Sequence, residues 1–275
     1  MIVAIASGKG GTGKTTIAVN LARVWANEVQ LLDCDVEEPN ARLFLKGDSV
    51  YQEVISIPIP CVDQGLCDGC GECGRFCAYH AIVSFGTRPI VFPDMCHGCG
   101  GCMMVCPRQA ITEVGHRIGT VEVFRTGQIT LIQGRLDVAR PMAPPLIRAV
   151  KAKMDRQGTV ILDAPPGTSC PVVATVRGSD LVLLVTEPTP FGLHDLRLAV
   201  QMVRQLRIPS AVVINRVGIG DDRIHRFCRQ EGIPIILEIH EDRRIGQAYS
   251  RGELVVDALA EYRRSFEYLA ERLSG

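Results

Sequence analysis

The residues with the clearest capacity for chemistry lie at the start of the chain. Gly8-Lys-Gly-Gly-Thr-Gly-Lys-Thr15 satisfies the phosphate-loop pattern G-x-x-x-x-G-K-S/T, and Thr16 follows directly. The apolar run Ile2 to Ala6 before it suits a buried strand and the residues after it favour a helix, which is the context such a loop requires. Gly8, Gly10, Gly11 and Gly13 let the backbone fold around a triphosphate, so that amide groups from Gly8 to Thr16, those of Lys9 and Thr12 included, point at the anion. Lys14 brings a point charge to the outer phosphates, and Thr15 can hold Mg²⁺ through its hydroxyl.

A second chemistry resides in the cysteines. The chain has twelve, and nine fall between residues 60 and 115 among many glycines and few helix formers. No secretory leader fits before Lys9, because the apolar run is short and lacks a basic start, so a cytoplasmic location is expected. In a reducing compartment this density points to metal ligation rather than disulfides. Cys67-x-x-Cys70-x-x-Cys73-x-x-x-Cys77 and Cys96-x-x-Cys99-x-x-Cys102-x-x-x-Cys106-Pro107 both carry the spacing of bacterial two-cluster ferredoxins. Three closely spaced cysteines can cap three corners of a [4Fe-4S] cube, and the fourth corner is met by the distant cysteine of the other half. One cluster is thus expected on Cys67, Cys70, Cys73 and Cys106, the other on Cys96, Cys99, Cys102 and Cys77. Zinc, held by C-x-x-C pairs, is the competing reading. Ala78 stands where the pattern has proline, and Cys61 lies outside it and is read as structural.

Carboxylates at two strand ends complete the candidate set. Val29 to Leu32 reads as a strand ending in Asp33-Cys-Asp35, and Thr159 to Leu162 as another ending in Asp163-Ala-Pro-Pro-Gly-Thr168. An acid ending a strand beside a phosphate loop can fix Mg²⁺ or orient water, and Asp163 is in the Walker B arrangement.

The run Gly-Lys-Gly-Gly-Thr-Gly-Lys-Thr-Thr, with its second lysine at Lys9, resembles the deviant Walker A motif of the MinD/ParA/nitrogenase iron protein superfamily. The resemblance implies that Lys9 reaches across a nucleotide-dependent dimer, homodimeric or with a related ATPase, to phosphates bound by the other subunit. It further implies that Asp35 in switch I positions the attacking water, that Gly167 in switch II turns its N–H to the γ-phosphate, and that Asn215 bonds the adenine edge. Lys9, Lys14, Asp35 and Asp163 are then the catalytic set of a slow ATP hydrolase. Its partner would be a redox protein, or a cofactor-assembly partner as for carriers of the Mrp type, or a MinD-like positioning system with structural clusters. Cys170 matches the region of a ligand in the iron protein, but with no cysteine between Cys106 and Cys170 it is read as a buried thiol or a lone interface ligand.

The elements that must position these groups follow the rhythm of a doubly wound, mostly parallel α/β sheet. Strands are expected at Leu181 to Val185, Ala211 to Ile214 and Ile233 to Leu237, helices at Pro145 to Lys153 and His194 to Arg207, and a hairpin around Arg125-Thr-Gly127. The expected organisation is an ATPase over residues 1–59 and 117–275 with a 2[4Fe-4S] module inserted at 60–116. Thirty basic residues balance thirty acidic ones, which favours neither nucleic acid nor an anionic membrane. The last helix, with Leu259, Tyr262, Phe266, Leu269 and Leu273 on one face, is expected to pack on its own domain.

Overall fold

Short apolar runs punctuated by glycine, aspartate and helix formers become buried strands, each feeding a helix, in a computed structural model that describes residues 1–86 and 88–274. Strand β1 (Ile2–Ala6) passes through the phosphate loop into α1 (Lys14–Val24), and β2 (Val29–Asp33) follows. The chain then leaves on the long β3 (Asp48–Val62) and runs through α2 (Glu72–Phe76), β4 (Ile82–Phe85), β5 (Arg88–Val91) and α3 (Gly101–Met104). It returns on β6 (Ile111–Thr126) and β7 (Ile129–Leu136). Alternation resumes with α4 (Pro144–Ala152), β8 (Thr159–Asp163), α5 (Cys170–Val176), β9 (Leu181–Thr186), α6 (Pro190–Gln205) and β10 (Ser210–Val217). Helix α7 (Arg223–Glu231), β11 (Ile235–His240), α8 (Arg243–Ser250), α9 (Val255–Ala258) and α10 (Ala260–Ser274) complete it.

Among the described residues nine strands share one sheet, in the order β11-β10-β9-β1-β8-β2-β7-β6-β3. All neighbours from β11 to β7 are parallel, while β6 runs antiparallel to both β7 and β3. Apolar side chains leave both faces of the parallel strands. One face packs on α4 to α7 through Leu146, Val172, Leu196 and Phe227, the other on α1 and α10 through Leu21 and Phe266. This is the expected parallel, doubly wound fold.

The departure from it is an arm. Strands β3 and β6 pair from Asp48↔Arg125 to Val62↔Ile111, but β6 pairs with β7 only from Gly119 to Thr126, so their outer halves project as a two-stranded ribbon. Pro58 and Pro60 are compatible with β3 because it is an edge strand, where a missing N–H breaks no ladder. The cysteine-rich segment sits at the arm's end, and Arg140, beyond β7, braces it by pairing with Asp94. The expected limits 59/60 and 116/117 fall inside these continuous strands.

Local corrections have local causes. Helix α6 begins at Pro190 rather than His194, because Thr189 accepts from the Gly192 N–H (3.0 Å) and proline suits a first turn. Strand β11 starts at Ile235, just after Pro234. The face expected to begin at Leu259 is interrupted there: Leu259 is extended and separates α9 from α10.

Lys151 of α4 fixes the helix that follows the Asp163 loop. Its ammonium donates to the carbonyls of Ala174 (2.9 Å), Thr175 (2.5 Å) and Arg177 (2.7 Å) at the C-terminal end of α5, where a cation satisfies orphan carbonyls and the helix dipole. Replacing Lys151 by Met should lower unfolding stability by at least about 1.5–3 kcal/mol, the usual worth of a charged hydrogen bond, read from the urea midpoint.

Candidate functional site

Parallel register gathers the chemistry at one edge. Asp33 ends β2 and Asp163 ends β8 as register partners, and Ile5 of β1 faces Asp163 from the other side. The loop leaving β1 therefore lies beside both acids. Two of its glycines are required by space: a Cβ on Gly8 would lie 2.2 Å from the Asp195 carbonyl oxygen, and one on Gly13, at φ +95°, 2.5 Å from Asn215 Nδ2.

Lys14 opens α1 and is only 7% exposed. Burial drives its ammonium below the usual lysine range, while Asp163 and Asp35 favour the charged form. Neither oxygen of the buried Asp163 meets hydrogen-bond geometry with a partner, although the Thr15 hydroxyl lies close enough to favour its charged form. Burial lifts its carboxyl to about 7, against the opposing pull of the Thr15 hydroxyl and Lys14. Half-buried Asp35 rises to about 6, chiefly through desolvation, with Lys14 opposing. A buried cation, an orphaned carboxylate and the partnerless Thr12 hydroxyl beside a loop of amides form a donor set that fits a polyphosphate with Mg²⁺.

Asp33 has a different task from Asp35. Its Oδ1 accepts from the Asp35 N–H (3.1 Å) and its Oδ2 from the N–H groups of Asn40 (2.9 Å) and Ala41 (3.0 Å), which fixes the loop that presents Asp35. Burial and the neighbouring Asp163 hold its carboxyl well above the ordinary range.

Three residues expected to face nucleotide or a second subunit are engaged within the chain. Lys9 pairs with buried Glu187, whose other oxygen lies 3.5 Å from Arg216. The Asn215 amide donates to the Thr12 carbonyl (2.9 Å) and so supports the phosphate loop, and the Gly167 N–H donates to the Ser7 carbonyl (3.0 Å). Glu187 directly follows the apolar strand β9, in Glu187-Pro-Thr-Pro190, a segment expected to line the base pocket or the dimer face; its pairing with Lys9 joins residues far apart in the chain.

The cysteines fall into two sets. Cys67, Cys70, Cys73 and Cys106 line one cavity of about 360 Å³, counting its open mouth. Cys77, Cys96, Cys99 and Cys102 line another of about 680 Å³. The fourth cysteine of each half thus stands with the first three of the other, and each cavity has four thiols as its sulfur donors. Among the described residues no three His, Cys, Asp or Glu side chains converge on a single-ion position. Cys34 and Cys228 are buried, whereas Cys61 and Cys170, the latter at the start of α5, are exposed, so Cys170 is not the buried thiol of the first expectation.

The elevated Asp163 has a consequence for stability. A carboxyl whose folded pKa exceeds its unfolded value makes the folded state bind more protons, so without Mg²⁺ and nucleotide stability should fall as pH rises from about 4 towards about 7. Asp163→Asn should flatten that decline, as measured by urea unfolding in chelator at pH 5 and pH 8.

Comparison with known proteins agrees with this architecture. An uncharacterized protein of Methanocaldococcus jannaschii is 33% identical over 92% of this chain and 90% of its own length. An iron-sulfur cluster carrier protein of Aquifex aeolicus is 26% identical over 99% of this chain and 67% of its own. The septum site-determining protein MinD of Pyrococcus horikoshii, solved with Mg-ADP, superposes with a TM-score of 0.59 at 19% identity, covering 99% of this chain and 95% of that one. Residues 3–255 match the CobQ/CobB/MinD/ParA nucleotide-binding domain, and the chain belongs to that family of P-loop ATPases.

Proposed function

We propose that this chain is a MinD-like ATPase in which ATP binding and hydrolysis are coupled to electron transfer through two [4Fe-4S] clusters to a partner protein. The observation that carries the reading is the crossed gathering of eight cysteines around two cavities, on an arm continuous with the nucleotide-binding sheet. Cys67, Cys70, Cys73 and Cys106 would hold one cluster and Cys77, Cys96, Cys99 and Cys102 the other, within a module over about residues 60–116. Bound there, such clusters supply one-electron carriage at low potential. With four cysteines committed to each, retention is favoured over release.

At the nucleotide end, amides from Gly8 to Thr16 cradle the phosphates and Lys14 neutralises their charge. The Thr15 hydroxyl and the orphaned Asp163 carboxylate would hold Mg²⁺, which when bound would neutralise charge on the phosphates. Asp35, on the loop pinned by Asp33, orients a water oxygen that attacks the γ-phosphorus as the bond to the β-γ bridging oxygen breaks and ADP departs. Two rearrangements accompany this: Lys9 exchanges Glu187 for phosphates across a two-fold interface, and the Gly167 N–H exchanges the Ser7 carbonyl for the γ-phosphate. The turn after β2 is joined to the arm's base, since the Leu136 N–H at the end of β7 donates to the Val36 carbonyl (2.8 Å), and β7 pairs with β6. That connection offers a route by which the Asp35 loop and the cysteine arm feel each other.

A second reading, an iron-sulfur carrier, is favoured by the likeness to proteins of that name. The two differ in outcome: ATP-dependent reoxidation by a partner supports electron transfer, and transfer of iron and sulfide to an apo-protein supports the carrier.

Anaerobically purified chain should contain about eight irons and hydrolyse ATP slowly. Lys14→Ala should abolish nucleotide binding, whereas Asp35→Ala should retain binding and lose hydrolysis by about 10²-fold or more, as for loss of a positioned base. Cys77→Ser should lower iron to about four per chain, leaving the set completed by Cys106. Chain that holds zinc instead, or binds no adenine nucleotide, overturns the proposal.

A further inference from the structure

The two cysteine-lined cavities are unlike in what surrounds the sulfur. The arm's direction orders them: the set with Cys77, Cys96, Cys99 and Cys102 lies against Pro58 and Pro60, nearer the main sheet, and the set completed by Cys106 lies against Val62 and Ile111 at the tip. Cys96 belongs to the main hydrophobic core, whereas Cys73 belongs to a separate small core with Ile82 and Ile111.

Backbone N–H groups reach sulfur at both cavities, Ala110 to Cys106 Sγ (3.3 Å) in the outer and Gly98 to Cys96 Sγ (3.4 Å) in the inner, where the N–H groups of Met103 and Cys102 also favour the Cys102 thiolate. The outer cavity adds a side-chain donor, for Ser84 Oγ lies 3.9 Å from Cys73 Sγ. A metal-bound thiolate has no proton to give, so the hydroxyl must be the donor. Charges at the outer cavity cancel: Arg108 pairs with Asp68, and Arg75 pairs with Glu72 while donating to the Cys70 carbonyl (3.0 Å). Among the described residues no lysine or arginine lines the inner cavity, and Glu113, an exposed side chain, is the carboxylate that does. Apolar groups and the stacked Tyr79 and His97 rings, 3.6 Å apart, form most of the rest.

Adding an electron to a thiolate-bound cluster adds negative charge. Hydrogen bonds to its sulfurs spread that charge and raise the reduction potential, whereas a nearby carboxylate lowers it. We propose that the two cysteine sets hold clusters of unequal potential, the outer set raised by Ser84 and the inner set lowered by Glu113. The inference rests on the two-cluster reading above. It gives the arm a direction: one electron leaves the inner cluster, which is oxidised, and reduces the outer one, with no bond or proton changing hands. An external one-electron carrier supplies the electron. The charge then rests at the exposed tip, farthest from the ATPase core. Ser84 and Glu113 are tuning residues, since neither is a ligand.

The test is a redox titration of the full chain at pH 8, where an imidazole carries little charge, followed by electron paramagnetic resonance after iron and sulfide have been counted. Two one-electron steps are expected, with at least a tenfold difference in the reduced-to-oxidised ratio between the clusters at a common poise, equivalent to about 59 mV. Ser84→Ala should move only the upper step to more negative potential, and Ser84→Thr, which keeps the hydroxyl, should restore it. Glu113→Gln should move only the lower step to more positive potential. Chains with full iron that titrate in one unresolved step, or in which Ser84→Ala moves the lower step or Glu113→Gln moves neither, overturn this inference and leave the two-cluster reading standing. Chains that hold no iron overturn both.

Discussion

Lys14, Asp163, Asp33 and Asp35 are drawn out of water together at the carboxyl edge of a parallel sheet, and the architecture around the nucleotide site follows from compensating that charge. Removing an ion from water costs several kcal/mol even after relaxation, unless a partner or hydrogen bonds replace the lost solvent. Asp33 is compensated by three backbone N–H groups. Asp163 has none, and Lys14 must serve more than one acid. The set lacks positive charge until a divalent cation joins it and lacks an anion for its lysine and amides until phosphate does. That deficit is what gives an ATP-Mg²⁺ site its affinity, and it is held in place by the pairing of β1, β8 and β2.

The same sheet determines how a redox module could be attached. Insertion after β2 requires the chain to return as β7 in parallel register beside β2, and the excursion between them is carried on an edge that can lengthen without disturbing the core. Strands β3 and β6 do this, with prolines tolerated on the outermost strand and the Asp94–Arg140 contact restraining the arm. The cysteine segment has little helix and a small core of its own, so in the proposed reading its rigidity comes from metal-sulfur bonds that cross between its halves.

Lys9 and Glu187 bear on how the nucleotide site changes state. In the single chain the lysine is neutralised by a buried carboxylate that Arg216 also approaches. In the proposed exchange its release would leave Glu187 with that weaker partner, so phosphates capturing Lys9 would have to outcompete an existing ion pair. A subunit interface built on this exchange would be conditional on nucleotide for an electrostatic reason.

Much was legible in the chain itself. The phosphate loop, the strand-end aspartates and both cysteine runs are short-range patterns, so they can be read without knowing how the chain folds. The alternation of apolar runs with helices likewise announced a parallel sheet. Other features depend on contacts between residues far apart in sequence, which local pattern does not carry. The pairing of Lys9 with Glu187, the use of Asn215 on the phosphate loop, the exposure of Cys170 and the break at Leu259 were decided by packing. So were the different surroundings of the two cysteine sets, because Ser84 and Glu113 approach sulfur only once the hairpin and the arm are folded against the loops.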